Sequence, residues 1–453
     1  MRAYLTDRVA DFVAGTGFAD IPDSCVEIAE RQVIDCVGVA VAGSAERSSR
    51  ILREVVCESG ARGNCTVLGI PDKVSADAAA LINGMQAHCL DYDDVNQSMY
   101  GHPTTAILPA VLAMAEMHHC SGKELLEAYI LGVEVAAKIG TVINPIHYER
   151  GWHATSTLGS IGAAVGVAKI LNFGNDEIRK TLGVAASLAG GLSKNFGTMT
   201  KPLHAGRAAE NGVRAALLVA RGWTADSAIL DASSGFYSAF SEGCLGSVEG
   251  IAGALGNPFD MVSPGIIVKK YPSCAFTHPA IDAMLALTDD IAVPVAEIEQ
   301  IDVGINETAG KILAYHGAAT DLEAKFSIEY CVASACIRRS CGLAHFRIEN
   351  VLSDDVQQLI PKVRRVIIPA VPDIDNIFGP SEVLVTCRNG RQFKRRVDIA
   401  KGDPRKPLGD EEVFAKYRDC LSSCYDDKVT AESYEIMREL HSLADTGDLL
   451  TLF

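Results

Sequence analysis

Residues 1–260 consist almost entirely of segments in which apolar residues recur at the three- and four-residue intervals of an α-helix. CVEIAERQVIDCVGVAVAG, KELLEAYILGVEVAAKIGTVI and TLGSIGAAVGVAKIL are clear examples, and several such segments are rich in glycine and alanine. Small residues at these intervals let helices approach one another closely. The sequence therefore predicts a large, tightly packed all-α domain.

The pattern changes near residue 260, where strand-like segments begin to alternate with helical ones. IEQIDVGI and RRVIIPAV have strand character, and SEVLVTCRNGRQFKRRVDIA has the form of a hairpin with a type I′ turn at Asn389-Gly390. The C-terminal segments are helical again and are expected to pack on the first domain. We predict a mainly α protein with an all-α domain formed by residues 1–264 and 401–453, and an α+β domain formed by residues 265–400.

Charge and composition exclude several classes of protein. The net charge is −16 and no run rich in Lys and Arg occurs, which argues against binding to nucleic acids or anionic membranes. The N-terminus lacks the apolar region of a secretory signal, and no apolar run is long enough to span a bilayer. The 14 cysteines form no CxxC pair or other metal-binding spacing. We therefore expect a cytoplasmic protein whose cysteines, Cys274 excepted, are buried thiols, and we predict no metal site.

Four polar groups interrupt the apolar segments and are candidates for a functional site. Each group alone has a structural explanation, such as helix capping by Asp91 or a hydrogen-bonded core position for His153. Jointly they supply carboxylates, imidazoles and cations. The groups are Asp91, Asp93, Asp94 and His102; His147, Tyr148, Arg150, His153, Thr155 and Thr157; Lys194, Lys201, His204 and Arg207; and Lys269, Lys270, Tyr271, Cys274 and His278.

These residue types suit proton transfer next to a substrate carboxylate. A C–H bond in that position is weakly acidic, and its deprotonation places charge on the carboxylate oxygens, which Lys, Arg or His⁺ can stabilise. A base of matched pKa takes the proton, and an acid protonates the leaving group. GxSxG and HExxH are absent, and GSIGAAVG lacks the glycine spacing of a dinucleotide loop. The sequence thus favours an acid/base enzyme without a cofactor.

Six motifs follow one another along nearly the whole chain: VIDCVGVAVAGS, LDYDDVNQSMYGHPT, GWHATSTLGSIGAA, TKPLHAGRAAENG, YPSCAFTH and IAKGDPRKPLGDEEVFAKY. In this order they resemble the MmgE/PrpD family, which includes 2-methylcitrate dehydratase, cis-aconitate decarboxylase and iminodisuccinate epimerase. The resemblance implies an all-α domain that carries both chain ends, a smaller α+β lid domain and an active site between them. It also implies a homodimer that uses no metal or organic cofactor and acts on small di- and tricarboxylates.

The resemblance assigns catalytic roles to four residues by motif. Asp91 is similar to the family's acid/base aspartate, and His102 and His153 are similar to its active-site histidines. Lys201, in TKPLH, is similar to the lysine that binds a carboxylate or donates a proton.

A further set is predicted to bind substrate: Tyr148, His204, Lys270 and Cys274. Two positions depart from the family patterns. Cys274 stands where we expect a histidine in aconitate decarboxylases. Val95 stands where the decarboxylase and methylcitrate dehydratase patterns have threonine. Both departures count against a decarboxylase, and the second also counts against a methylcitrate dehydratase.

The favoured hypothesis is a cofactor-independent lyase, of the dehydratase type, that acts on a small di- or tricarboxylate. One alternative is an epimerase of an aminodicarboxylate, which needs proton-transfer groups on two faces and no leaving group. Another is a carboxy-lyase similar to cis-aconitate decarboxylase. A binding protein that kept the fold without catalysis is the least favoured alternative, and the missing threonine motivates it.

Overall fold

The computed structural model describes residues 4–241, 248–290, 295–369 and 378–453. They form two compact units, Met1–Ile266 with Asp410–Phe453, and Ile267–Gly409. The chain therefore leaves the first unit near residue 266 and returns to it near residue 410.

The first unit is built mainly from helices. The N-terminal part contains α1 Leu5–Gly15, α2 Asp23–Gly43, α3 Arg47–Glu58, α4 Ala76–Cys89, α5 Pro103–His118, α6 Gly122–Ile143, α7 Ile146–Glu149, α8 Ala154–Ile170, α9 Asn175–Leu188, α10 Thr200–Val219, α11 Phe236–Phe240 and α12 Val248–Ala254. Its strands are β1 Arg62–Thr66, β2 Lys73–Val74 and β3 Val95–Asn96, and β4 Ile266–Ile267 follows at the boundary between the units.

The prediction that this unit is all-α was wrong in one detail. β1 and β2 pair antiparallel, with Thr66 opposite Lys73. Asn83 of α4 holds this hairpin by donating a side-chain hydrogen bond to the Thr66 carbonyl over 2.9 Å. The segment between α3 and α4 forms a short hairpin, because its backbone groups hydrogen-bond to one another and to a side chain of α4.

Glycines set a close contact between α4 and α10. A Cβ atom on Gly206 of α10 would lie 2.2 Å from the Leu81 carbonyl oxygen of α4. A Cβ atom on Gly84 of α4 would lie 2.9 Å from the Gly206 Cα. α4 and α10 therefore touch backbone to backbone. His88 follows Gly84 by about one helical turn, and Lys201 lies in the first turn of α10, so this contact positions both side chains.

The second unit contains a four-stranded sheet. Its strands are β5 Ile298–Ile305, β6 Val363–Ile367, β7 Ser381–Cys387 and β8 Gln392–Val397, in the order β6-β5-β7-β8. β5 pairs parallel with β6 and antiparallel with β7, and β7 pairs antiparallel with β8. The helices are α13 His278–Asp290, α14 Glu307–Ile312, α15 Asp321–Ala324, α16 Ile328–Arg338, α17 Ile348–Val351 and α18 Asp354–Leu359.

The hairpin that connects β7 and β8 agrees with the sequence, but its turn does not. Of Asn389 and Gly390, Gly390 alone has a positive φ, at 79°. A type I′ turn requires positive φ at both central residues, so that prediction was wrong. The Asn389 side chain instead accepts a hydrogen bond from the Arg391 backbone N–H over 3.0 Å, which closes a local turn.

The C-terminal helices α19 Asp410–Leu421, α20 Asp427–Arg438 and α21 Thr446–Leu450 belong to the first unit, as expected. α19 packs on α2, where Lys416 Nζ lies 2.6 Å from Asp35 Oδ1. The same ammonium donates to the Tyr92 carbonyl over 2.8 Å and lies 3.9 Å from the centre of the Tyr92 ring. The C-terminal segment thus contacts the aspartate-rich stretch directly.

The sequence led us to expect no membrane-spanning segment and mostly buried cysteines. Among the described residues, no helix is long and apolar enough to cross a membrane. Cys57 and Cys424 are the exposed thiols of the described chain, and the other described cysteines are buried. Cys244 lies outside the described residues.

Candidate active site

The aspartate-rich stretch connects α4 to α5. Asp91 lies just beyond the end of α4, and its backbone N–H donates to the His88 carbonyl over 3.1 Å. Its φ of 52° is in the left-handed region, which costs most residues about 1–2 kcal/mol but which aspartate tolerates better than most. This turn directs the chain away from the helix and leaves the Asp91 carboxylate buried.

Asp91 forms a buried ion pair with Lys201. Lys201 Nζ donates to Asp91 Oδ1 over 2.5 Å, and the two residues are only 5% and 4% exposed. They lie 110 positions apart in sequence, and the α4–α10 contact brings them together. The site therefore contains a carboxylate and an ammonium shielded from water.

Asp93 binds two histidines. Its Oδ2 atom lies 2.9 Å from His88 Nδ1 and 2.9 Å from His102 Nδ1. Burial alone raises the pKa of Asp93, but its interactions with His88 and His102 outweigh burial and hold that pKa well below its usual value. Burial lowers the pKa of His88 to about 3. Asp93 is thus a carboxylate at neutral pH, and His88 is a neutral imidazole.

Asp94 differs from its neighbours. It accepts hydrogen bonds from the Thr104 hydroxyl over 2.5 Å and from the Thr104 backbone N–H over 3.3 Å. Thr104 in turn contacts the buried Tyr129 hydroxyl at 2.5 Å. Burial raises the pKa of Asp94 well above its usual value. Its side chain is therefore a structural group at the start of α5, with a stronger tendency to hold its proton than a carboxyl group in water.

His153 and His204 form a second histidine pair. Their Nδ1 atoms lie 2.9 Å apart, so one ring donates and the other accepts. Burial lowers the pKa of both, followed by repulsion from the Lys201 ammonium. The rings of His153 and His88 lie 5.9 Å apart, and Phe196 packs edge-on against His153 at 4.9 Å. His204, predicted to bind substrate, is thus a direct partner of His153.

The remaining predicted residues fall into two groups. Tyr148 is half-buried, and its ring lies 6.4 Å from Phe196, at the edge of the histidine cluster. Lys270 and Cys274 belong to the second unit. There Cys274 is buried and its backbone N–H donates to the Lys325 carbonyl over 2.9 Å, while Lys270 Nζ lies 5.8 Å from the centre of the Tyr271 ring. Contact of these two residues with substrate stays a prediction.

Several other candidate residues from the four polar groups of the sequence lie in the protein interior or at its surface. His147 is buried between the Thr157 hydroxyl at 2.7 Å and the Phe240 carbonyl at 3.2 Å. Arg150, Lys194 and Arg207 are exposed.

His88, Asp91 and His102 are the described residues that could hold a metal ion, since each offers one ligand atom within 4.8 Å of the others. One contact opposes that use. Lys201 Nζ already lies 2.5 Å from Asp91 Oδ1, and a second cation beside it would be repelled. The Nδ1 atoms of both histidines are bonded to Asp93, which leaves their Nε2 atoms for other partners. The residues present fit an acid/base site better than a metal centre.

Sequence reasoning missed His88. It lies in an apolar, alanine-rich helix, where a lone histidine is usually a core residue, and it was not among the candidates. The signal was its spacing, because His88 precedes Asp91 by three residues and therefore shares a face of the α4 end with it. Asp93 was noted only as one of three acids, although it is the residue that holds two imidazoles.

Comparisons with known proteins cover both units. The MmgE/PrpD N-terminal domain matches residues 7–245, and the MmgE/PrpD C-terminal domain matches residues 271–442. Similar proteins include cis-aconitate decarboxylase of Homo sapiens, 26% identical over 99% of this chain and 94% of the human protein. The Mus musculus enzyme of that name is 27% identical over 99% of this chain and 93% of its own length. The cis-aconitate decarboxylase of Aspergillus terreus is 24% identical over 99% of this chain and 95% of its own length.

Proposed function

Because the chain belongs to the MmgE/PrpD family, we propose that it is a cofactor-independent lyase that removes water from a small di- or tricarboxylate. The observation that supports this most strongly is the buried Asp91–Lys201 ion pair beside a cluster of neutral imidazoles. Elimination next to a carboxylate needs both a base for the proton and a cation for the developing charge. We propose Asp91, His102, His153 and Lys201 as the catalytic residues.

The charge states suggest a division of roles. His153, whose pKa burial lowers, or His102 would take the proton from the substrate carbon. Lys201 would hold a substrate carboxylate or, with Asp91, deliver a proton to the leaving hydroxyl. Tyr148, His204, Lys270 and Cys274 remain proposed substrate-binding residues, and we propose that the protein works as a cytoplasmic homodimer with the smaller unit as a lid.

Decarboxylation is the second candidate, because the similar proteins of human, mouse and Aspergillus terreus are named cis-aconitate decarboxylase. The same groups could bind the departing carboxylate and reprotonate the carbon. Cys274 is the residue that favours dehydration over this candidate, whereas Val95 departs from the decarboxylase and the methylcitrate dehydratase patterns alike. Val95 is buried and presents methyl groups where the decarboxylase pattern has a hydroxyl. An epimerase of an aminodicarboxylate would use the same imidazoles on two faces of one carbon.

One experiment separates these reactions. The pure protein is incubated in heavy water with 2-methylcitrate, citrate, cis-aconitate and iminodisuccinate, and proton NMR follows each. Dehydration of 2-methylcitrate turns its methyl doublet into the singlet of a methyl group on a double bond, and dehydration of citrate gives a vinylic proton. Decarboxylation gives a product one carbon shorter, and epimerisation introduces deuterium without a new double bond. No change in any of these compounds by folded protein would contradict an enzymatic role on this substrate class.

Variants connect turnover to the site. Asp91→Asn and Lys201→Ala are expected to lower turnover by about 100-fold or more, as expected for loss of an acid/base group. Lys428→Ala, at an exposed lysine of α20, is the matched control and is expected to keep wild-type turnover. If both site variants retained wild-type rates, the proposed site would be wrong.

A further inference from the structure

The starting observation is that one carboxylate oxygen binds two imidazoles. Asp93 Oδ2 lies 2.9 Å from Nδ1 of His88 and 2.9 Å from Nδ1 of His102. The Asp93 side chain and His88 are each 1% exposed, so water does not compete for these contacts. The two rings lie 4.5 Å apart between centroids.

The chemistry of the acceptors fixes the hydrogens. An ionised carboxylate can only accept hydrogen bonds, so each Nδ1 atom within bonding distance of it must carry a hydrogen. His102 Nδ1 also lies 2.7 Å from the Asp94 carbonyl oxygen, which is likewise only an acceptor. A neutral imidazole has a single N–H, and when that N–H is at Nδ1 the lone pair is at Nε2.

His88 adds an independent observation. Its Nε2 atom is buried and has no hydrogen-bond partner within the described part of the chain. A buried acceptor that has lost its hydrogen bonds to water is unfavourable unless a donor meets it. Its ring lies between those of His102, at 4.5 Å, and His153, at 5.9 Å, both of which are proposed catalytic residues. The missing donor is therefore expected at the centre of the candidate site.

We propose that Asp93 is a positioning residue that locks His88 with hydrogen on Nδ1 and the lone pair on Nε2, and that the Nε2 atom of His88 accepts a hydrogen bond from a hydroxyl group of the substrate. The first part concerns the protein alone. The second part rests on the proposed function, and it names the atom that binds the substrate hydroxyl.

The first part is tested without any substrate. Histidine labelled with ¹⁵N is incorporated, and two-bond proton–nitrogen correlations identify which ring nitrogen of each histidine is protonated. His88→Gln and His102→Gln assign the two spin systems. Both are expected to be protonated at Nδ1 in the wild-type protein at pH 7. A hydrogen on Nε2 with a bare Nδ1 at His88 would overturn the proposal, whether or not any variant folds.

Two substitutions of Asp93 distinguish the effect of its acceptor oxygen from the effect of its negative charge. Asp93→Leu removes the acceptor, so His88 is expected to lose its preference for the Nδ1–H form, while His102 keeps it through the Asp94 carbonyl. Asp93→Asn keeps an acceptor oxygen toward the histidines, because the amide N–H₂ group would face the Nδ1–H donor of His102 if it were reversed. His88 and His102 are therefore both expected to keep the hydrogen on Nδ1. An unchanged His88 tautomer in folded Asp93→Leu protein would show that Asp93 does not set it.

Asp94→Asn is the matched control. The Asp94 carboxyl group accepts hydrogen bonds from Thr104, so its substitution is expected to leave the tautomers of His88 and His102 unchanged. A change in His88 in this variant would assign the effect to general disturbance of the loop and would contradict a specific role of Asp93.

The second part uses citrate and propane-1,2,3-tricarboxylate, which differ by one hydroxyl. Saturating citrate is expected to shift the Nε2 resonance of His88, and the analogue without the hydroxyl is expected to leave it in place. Equal shifts, or no shift with either compound, would overturn the hydroxyl assignment. The tautomer of His88 is measured on the protein alone. That result is therefore independent of the citrate experiment and of the turnover measured with the four candidate substrates.

Discussion

Three aspartates lie within four positions of one loop, yet each forms a different interaction. Asp91 pairs with the Lys201 ammonium, Asp93 accepts from two imidazoles, and Asp94 is bonded to Thr104, with a pKa that burial raises well above its usual value. The difference arises from the partner that each side chain meets on the neighbouring helices. A residue's charge state in such a loop is therefore a property of its contacts.

The ion pair of Asp91 and Lys201 should show strong energetic coupling. Lys201→Met or Asp91→Asn alone leaves a buried charge without this partner, and each is expected to lower the free energy of unfolding by about 3–5 kcal/mol. The double variant removes both charges and is expected to lose clearly less than the sum of the two. Urea unfolding of the four proteins measures the coupling. Additivity within about 0.5 kcal/mol would show that the pair does not interact.

At the scale of elements, the α4–α10 contact decides whether the site forms. His88 and Asp91 lie at the end of α4, and Lys201 lies in the first turn of α10. Gly84 and Gly206 let these helices touch, so a side chain at either position would separate groups that must remain within hydrogen-bond distance.

Gly206→Ala tests this contact. The added Cβ atom would lie 2.2 Å from the Leu81 carbonyl oxygen, so the helices must move apart. We expect a loss of about 1–3 kcal/mol in the free energy of unfolding, as for overpacking, together with reduced turnover. Gly15→Ala is the control, since nothing lies within 4 Å of its added Cβ. Equal stability of the two variants, measured by urea unfolding, would contradict the close contact.

Lys416 connects α19 to α2 and to the site loop. Lys416→Met keeps the length of the side chain but removes the ammonium that binds Asp35 and the Tyr92 carbonyl. Loss of one partner of a buried pair is expected to cost about 3–5 kcal/mol in urea unfolding. Lys428→Met, at an exposed position of α20, is expected to change the free energy of unfolding by less than about 0.5 kcal/mol. Similar effects of the two variants would contradict a role of Lys416 in holding the loop.

At the scale of the whole molecule, buried neutral histidines couple stability to pH. Burial lowers the pKa of His147 from 6.5 to about 4. Above pH 6.5 this residue is neutral in the folded and unfolded states. As the pH falls from 6.5 to 4, the unfolded chain takes up a proton that the folded chain does not, so stability contributed by His147 is lost. The slope for one such group is at most about 1.4 kcal/mol per pH unit.

His147→Gln isolates this contribution, because glutamine does not titrate. The variant is expected to be less stable than wild type at pH 7, and the difference in the free energy of unfolding is expected to narrow as the pH falls from 6.5 to 4. Urea unfolding at several pH values measures both curves. A difference that stays constant over this interval would mean that His147 is protonated in the folded protein.

The sequence by itself determined the mainly α character of the protein and the family. Those features are local, since periodicity, turn residues and short motifs depend on neighbours in the chain. The β1–β2 hairpin, the turn at Asn389-Gly390, the pairing of His153 with His204 and the part taken by His88 and Asp93 were decided by tertiary structure. Hydrogen-bond partners and burial come from segments as far apart as Asp91 and Lys201, and these set which acids are charged and which ring nitrogen carries the hydrogen.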